Sequence, residues 1–357
     1  MTHSTDEPAP THFIGLDVGD RVTHLCVLDA GRQVVERAKF ATTREGLYKT
    51  FSQRKRCPVV LEVGSQSPWM SAYLKSAGFE VVVADARRVA AITRSGKKTD
   101  RRDAETLARL LQGMPELLGS VYHRGEQAQA DLSVIRARDS LVQLRTKLIL
   151  HTRGNVKAFG LRTRSCSAKC FHRVARPAIP ELLRPALNPI LDTLAELESR
   201  IAAFDRQLVR LADERYPEAK HLQQVPGVGP LISMAYVLTM ETPRRFSRSR
   251  KVGSWIGLCP RVQSSGDKDP QLPISKTGCP YLRRLLVQAA HRVLGHNIPD
   301  SDLRRYGERI AERGGKAAKA RAVVTVARKL AVLLHRLWVT RESYVPLRCA
   351  SQAVAGA

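Results

Sequence analysis

The chain has 357 residues, 59 Lys and Arg against 33 Asp and Glu for a net charge of +26, and 43% hydrophobic positions. The apolar share is ordinary for a globular protein and excludes a disordered polycation, while the charge excludes a neutral metabolic enzyme and points to a polyanion, nucleic acid first. Charged residues interrupt every apolar run before about 18 residues, and the polar start MTHSTDEPAP lacks a signal-peptide core, so a soluble cytoplasmic protein without a membrane span is expected.

After a loose tail over 1–11, residues 12–115 alternate strand and helix patterns. His12–Val18 and Thr23–Leu28 read as strands, Asp29-Ala30-Gly31 as a hairpin turn and Gln33–Phe40 as a third strand. A helix over Thr43–Gln53 precedes the continuous apolar strand Val59–Val63, which suits a sheet covered on both faces. Pro68 opens and Gly78 closes the next helix, Val81–Ala84 is another strand, and the helix of TDRRDAETLARLL follows with Thr99 as its expected cap. A meander followed by crossovers makes a mixed sheet whose parallel part starts beside the first strand.

From 116 to 219 the pattern is helical. Residues 128–160 form a long basic helix candidate, and Leu187, Ile190, Leu194, Leu197, Ile201, Phe204, Leu208 and Leu211 keep 3-4 spacing. That seam fits an antiparallel helical pair, an intermolecular coiled coil, or an amphipathic helix on its own core. Residues 220–345 form a further helical domain with a basic helix over Ala317–Trp338, and 346–357 a tail. The charge is uneven: residues 1–115 carry 18 Lys and Arg with 13 Asp and Glu, a net of +5, whereas 116–357 carry the remaining +21. Seven scattered cysteines argue against a disulfide framework, and Cys166-x-x-x-Cys170-x-His172 lacks the second ligand pair of a zinc site.

Four acids stand out in the balanced segment. Asp17 and Glu62 each end an apolar strand before a glycine, and Asp100 and Asp103 share one face of a helix's first turn. Singly, each fits a turn or a helix-dipole contact. Together they converge at one sheet edge, where carboxylates repel unless a hard divalent cation lies among them. Two such ions about 4 Å apart can polarise both the attacking and the leaving oxygen of a phosphodiester. Lys97, Lys98, Arg101 and Arg102 flank the helical pair as phosphate contacts or a solvated face.

In the basic segment, Gly227 and Gly229 of PGVGP resemble a helix–hairpin–helix turn, whose amides hold a DNA phosphate without reading sequence. Ser264-Ser265-Gly266 lies in a polar loop among Arg261, Lys268, Lys276, Arg283 and Arg284. By itself such a run is a loop. As a nucleophile it needs those cations for the charge on phosphorus, and a base from elsewhere.

The ordered set IGLDVGD, LEVGSQSPW, KKTDRRDAETLARLL, VPGVGP, GLCPRVQSSGDKD and ISKTGCPYLRRLLVQAA, spanning about 12–340, resembles the DEDD-type transposases of bacterial insertion sequences related to the Piv and MooV invertases. The resemblance implies an α/β plus all-α protein. Its parts are an N-terminal RuvC-like, ribonuclease H-like domain, a central helical coiled coil and a C-terminal helical transposase domain. It implies that Asp17, Glu62, Asp100 and Asp103 bind Mg²⁺, two ions per site, and that Ser265, with Ser264 as its neighbour, attacks DNA to give a covalent phosphoserine. It further implies a tetramer built as a dimer of dimers, a noncoding bridge RNA that chooses element ends and target DNA, and residence on a bacterial nucleoid.

Three rivals remain. A RuvC-type Holliday-junction nuclease uses the same acids with water as nucleophile. An actin-like ATPase or sugar kinase shares IGLDVG but needs a second phosphate loop that is missing here. A non-catalytic scaffold leaves the four acids unexplained.

Overall fold

The computed structural model describes residues 10–92, 100–263 and 272–348. The chain divides into two compact units, Met1–Glu126 and Gln127–Ala357.

In the first unit, β1 (His12–Val18), β2 (Val22–Asp29) and β3 (Val34–Ala41) form the expected meander. The turn from β2 to β3 closes where Asp29 Oδ1 accepts the Gln33 amide at 2.8 Å, with Arg32 in the left-handed region at φ 65°. Helix α1 (Arg44–Phe51) starts at Thr43, whose hydroxyl accepts from the Gly46 amide. Strand β4 (Pro58–Glu62), helix α2 (Ser67–Ser76), strand β5 (Glu80–Ala84) and helices α3 (Ala86–Ile92) and α4 (Asp100–Gly113) follow. The sheet order is β3-β2-β1-β4-β5, antiparallel from β3 to β1 and parallel from β1 to β5.

Both faces of the central strands are covered, which is why they read as unbroken apolar runs. Ile14, Leu16, Val59 and Leu61 pack against Leu47, Phe51, Met70 and Leu74 on one side. On the other, Phe13, Val60 and Val82 meet Leu107 and Leu111 of α4. Helix α4 lies so close to β1 that a Cβ built on Gly15 would stand 2.0 Å from the Ala104 carbonyl oxygen. Only a glycine opposite the small Ala104 and Ala108 permits that approach.

The second unit is helical. Helix α5 (Glu126–Ala158) runs out, a short α6 (Phe171–Ala175) lies in the connection, and α7 (Arg184–Arg215) returns. Arg138 pairs with Asp205 at 2.6 Å and Arg145 with Glu198 at 2.6 Å, so the partner number falls along α7 as it rises along α5: the pair is antiparallel. The leucine seam faces inward within this one chain. Leu187, Leu191 and Leu194 pack on Ile149, Val156 and Phe171, while Leu208 and Leu211 at the other end join Leu132 and Ile135.

Helices α8 (Pro217–Leu222), α9 (Pro230–Met240), α10 (Arg250–Trp255), α11 (Pro280–Val293), α12 (Asp302–Ala311) and α13 (Gly315–Thr340) complete the unit. At its centre lies α9, with every residue from Ile232 to Met240 buried and the Tyr236 hydroxyl donating to the Ala331 carbonyl of α13 at 2.6 Å. The core ends of α5 and α7 share this hydrophobic cluster with α9, α11 and α13, within the one compact unit that runs from Gln127 on. Among the described residues no helix is long and apolar enough to cross a membrane.

Candidate active site and nucleic-acid interface

Strand alternation decides where the acids go. Residues 13 and 15 of β1 and residue 60 of β4 face α4, so Asp17 and Glu62, two positions further on, lie on that same face. The parallel register aligns Gly15 with Val60 and Leu16 with Leu61, which brings Asp17 level with Glu62 at the carboxyl ends of neighbouring strands. The direction of α4 follows from its other end. Gln112 Nε2 donates to the Asp29 and Ala30 carbonyls at 3.0 Å each, and Asp29 is the register partner of His12 at the start of β1. The first turn of α4, with Asp100 and Asp103, therefore lies over the strand ends that carry Asp17 and Glu62.

Asp17, Glu62 and Asp103 are half-buried. The side chain of Asp100 is outside the described residues, and among the described ones no three His, Cys, Asp or Glu form a closed cluster for an ion. Asp17, Glu62 and Asp103 are nonetheless hard carboxylate donors on partly buried backbone of one edge, and that chemistry suits a hard divalent cation rather than a thiolate- or imidazole-seeking metal.

The loop after Glu62 is pinned by a residue that the sequence reading missed. Ser67 Oγ accepts the Gly64 amide at 3.0 Å and donates to the Gly64 carbonyl at 2.8 Å. His123 Nε2 stands 2.8 Å from the same oxygen, and since the Ser67 proton is already committed, the imidazole is the donor there. Burial, with Lys75 and Arg124 nearby, pushes His123 below the usual histidine range, so it stays neutral. It lies 56 positions from Ser67 in the chain, and no local pattern announces the pair.

Beside the acids, a cavity of about 320 Å³ is lined by His24, Arg37, Lys39 and Arg101 over Leu25 and Ala38. His24 is the register partner of Asp17, so this basic hollow adjoins the carboxylate edge. Glu105 of α4 holds Arg37 at 2.7 Å and Arg109 at 2.8 Å, and those two hydrogen-bonded guanidiniums, Arg37 first, keep its carboxyl below the usual range. Arg101 and Arg102 are exposed; Lys97 and Lys98 lie outside the described residues.

In the second unit, a small two-stranded stem follows α10. The Arg261 amide donates to the Pro273 carbonyl at 3.0 Å, the Ser275 amide to Cys259 at 2.8 Å, and Pro260 bridges Ile274. The stem leads into 264–271, where Ser264, Ser265 and Lys268 lie outside the described residues. Its base is tightly made. Gly257, Lys276 and Gly278 all have positive φ, and a Cβ on Gly278 would stand 2.1 Å from the Trp255 carbonyl oxygen.

Arg283 Nη1 donates to the carbonyls of Ile256 at 2.8 Å and Thr277 at 2.6 Å, one at each foot of the stem. Arg284 pairs with Asp139 of α5 and lies over the Tyr281 ring. These two arginines hold the scaffold together, whereas Arg261 and Lys276 present exposed charge. The glycine turn also stands as a helix connection: a Cβ built on Gly227, at φ 89°, would stand 3.2 Å from the Ala289 carbonyl oxygen of α11, and Gly229 caps α9 in extended conformation with open space around it.

Comparison with known proteins supplies the remaining context. Residues 14–159 match the DEDD transposase domain of IS110 elements, and residues 219–307 match the family described as Transposase IS116/IS110/IS902. A probable family 20 transposase of Pseudomonas aeruginosa is 31% identical over 291 residues, covering 79% of this chain and 83% of its own. The transposase for insertion sequence element IS1111A of Coxiella burnetii is 28% identical over 346 residues, 93% of this chain and 91% of its own. A putative transposase of Sinorhizobium fredii is 28% identical over 341 residues, 93% of this chain and 85% of its own.

Proposed function

Because the chain belongs to the IS116/IS110/IS902 family of insertion-sequence transposases, enzymes that cut and transfer DNA, we propose that it joins element ends to target DNA through a covalent phosphoserine. The observation that supports the reading is the parallel register that sets Asp17 level with Glu62 at the ends of neighbouring strands, with α4 packed onto β1.

In this mechanism Asp17, Glu62, Asp100 and Asp103 hold two Mg²⁺ ions. When bound, the ions supply Lewis-acid polarisation of the scissile phosphate and of the oxygens entering and leaving it. Asp103 is oriented by α4, which Gly15 locks onto the sheet, and the Glu62 loop is set by Ser67 and neutral His123. His24, Lys39 and Arg101 draw the phosphate backbone to the acid edge. The Ser265 hydroxyl attacks phosphorus, its proton passes to a base, and the departing DNA oxygen takes up a proton. The phosphoserine keeps the phosphodiester energy, so the reverse attack by another strand end rejoins DNA without net hydrolysis. A bridge RNA directs the pairing of ends and target, and a tetramer arranged as a dimer of dimers holds the four strand ends.

The test is a denaturing gel for protein–DNA adducts, using purified protein, Mg²⁺, plasmid bearing the element ends and RNA transcribed from the element flanks. An adduct in wild type that is absent from Ser265→Ala and Asp17→Ala supports the reading. Cleavage without an adduct overturns the serine step and leaves a RuvC-like nuclease that uses water.

A further inference from the structure

The far end of the α5–α7 pair carries a charge pattern that the active-site reading does not use. Between Asp139 and Glu181 no acidic residue occurs, while nine Lys and Arg do. Two of the nine are tied down, Arg145 by Glu198 and Arg176 by Asp192. Arg153 lies with its guanidinium 5.1 Å from the centre of the Phe171 ring. Lys157, Arg162, Arg164, Lys169 and Arg173 are exposed and make no ion pair among the described residues.

These cations do not merely solubilise a helix. At the end of α5 the chain turns back through Gly160 at φ 72°, and Arg153, Lys157, Arg162, Thr163 and Ser165 line a cavity of about 250 Å³. Three cations and two hydroxyls around a hollow of that size suit a phosphate group, and no carboxylate is present to repel it. Helix α5 continues for 23 residues beyond Ile135, its last residue in the central core, which is roughly 35 Å of helix at about 1.5 Å per residue. The basic end therefore stands apart from the arginines and glycines of α9–α11.

We propose that the loop end of the α5–α7 pair is a separate docking site for the phosphodiester backbone of duplex DNA, engaging phosphates up to about ten base pairs from those held by the helical core. DNA is the occupant because charge complementarity calls for a regular polyanion and the family's substrate is DNA. The contact is sequence-independent, since charge and hydroxyls line the hollow and nothing in its lining is arranged to read base edges.

The experiment is fluorescence-anisotropy binding of full-length protein to a 40-base-pair duplex across a salt series, with Mg²⁺ omitted so that cutting does not intervene. The variant Lys157→Gln/Arg162→Gln/Arg164→Gln should bind at least tenfold more weakly at about 0.1 M salt, and its log–log salt slope should fall by about 2 to 3, near 0.9 per lost contact. A charge-matched variant, Lys55→Gln/Arg206→Gln/Arg210→Gln, should lose less than about threefold. Equal losses in the two variants overturn the proposal, because net charge then explains the effect. A loss confined to structured RNA overturns the DNA assignment. As a readout that needs no variant, bound duplex should shield Lys157 and Lys169 of the wild-type protein from acetylation, and equal labelling with and without DNA also sinks the idea. The outcome is independent of the serine chemistry, which binding does not report.

Discussion

The acid edge of the first unit and the loop end of the α5–α7 pair are built on opposite electrostatic plans. At the edge, carboxylates are brought together on half-buried backbone by a helix pressed onto a sheet, in a segment whose net charge is only +5 over residues 1–115. At the loop end, acids are absent for forty-one residues and most of the cations stand in solvent. Chemistry on a phosphodiester needs negative groups held close enough to require a cation between them, and that takes rigid packing. Holding a polyanion needs unneutralised positive charge, which a mobile surface side chain supplies as well as a fixed one. Substitutions should therefore separate the two regions by what they damage.

The sharpest separation is functional. Asp17→Ala and Glu62→Ala should each lower strand cleavage by a factor of about 10³ or more while duplex binding changes by less than about threefold, measured by single-turnover cleavage and anisotropy on the same preparation. Loss of binding in step with cleavage would erase the distinction. Next comes packing at the acid edge. Gly15→Ala drives a methyl group into the Ala104 carbonyl and should destabilise the first unit by about 2–4 kcal/mol in urea unfolding, because one backbone must move away from the other. An unchanged midpoint would mean that α4 sits loosely on the sheet.

In the helical pair, Arg145→Ala leaves Glu198 without its partner at a site where both side chains are under one-fifth exposed, and about 1–2 kcal/mol should be lost. The exposed pair Arg200 with Glu196 gives the contrast, below about 0.5 kcal/mol. The smallest effect is that of pH. His123 and His335 are both held below the usual histidine range by burial, so the folded state binds fewer protons than the unfolded chain. Stability is then fully present above the ordinary histidine pKa of about 6.5 and declines as pH falls below it. The thermal midpoint should drop from pH 7 to pH 5.5, and less so in His335→Gln.

Much of the first unit is legible in the sequence because its signals are local. His12–Val18 as a strand, the turn at Asp29, the helix start at Thr43 and the glycine after α2 each depend on a few adjacent residues, and each lies where the pattern places it. The edge shared by Asp17, Glu62 and α4 was readable for the same reason, since strand alternation and parallel register extend local facts across the sheet. What was hidden is long-range. His123 reaches Ser67 across 56 positions, and the tethering of Arg283 to Ile256 and Thr277 changes it from an open phosphate contact into a strut. A run such as YLRR reads as a basic face whether its arginines meet solvent, a carbonyl or an acid on another helix. The leucine seam of α7 is likewise ambiguous in one dimension, because the same spacing serves a partner inside the chain or outside it.

The enclosure of α9 has a consequence for how this protein is made. Its nine consecutive buried residues pack against α7, α8 and α11, and the Tyr236 hydroxyl waits for a carbonyl of α13, 95 positions further along. At about 5–20 residues per second, a ribosome leaves the buried Tyr236 hydroxyl without its carbonyl for roughly 5–20 s, while the first unit already has all the strands of its sheet. A gene truncated before α13 should therefore yield aggregates rather than a weakened enzyme.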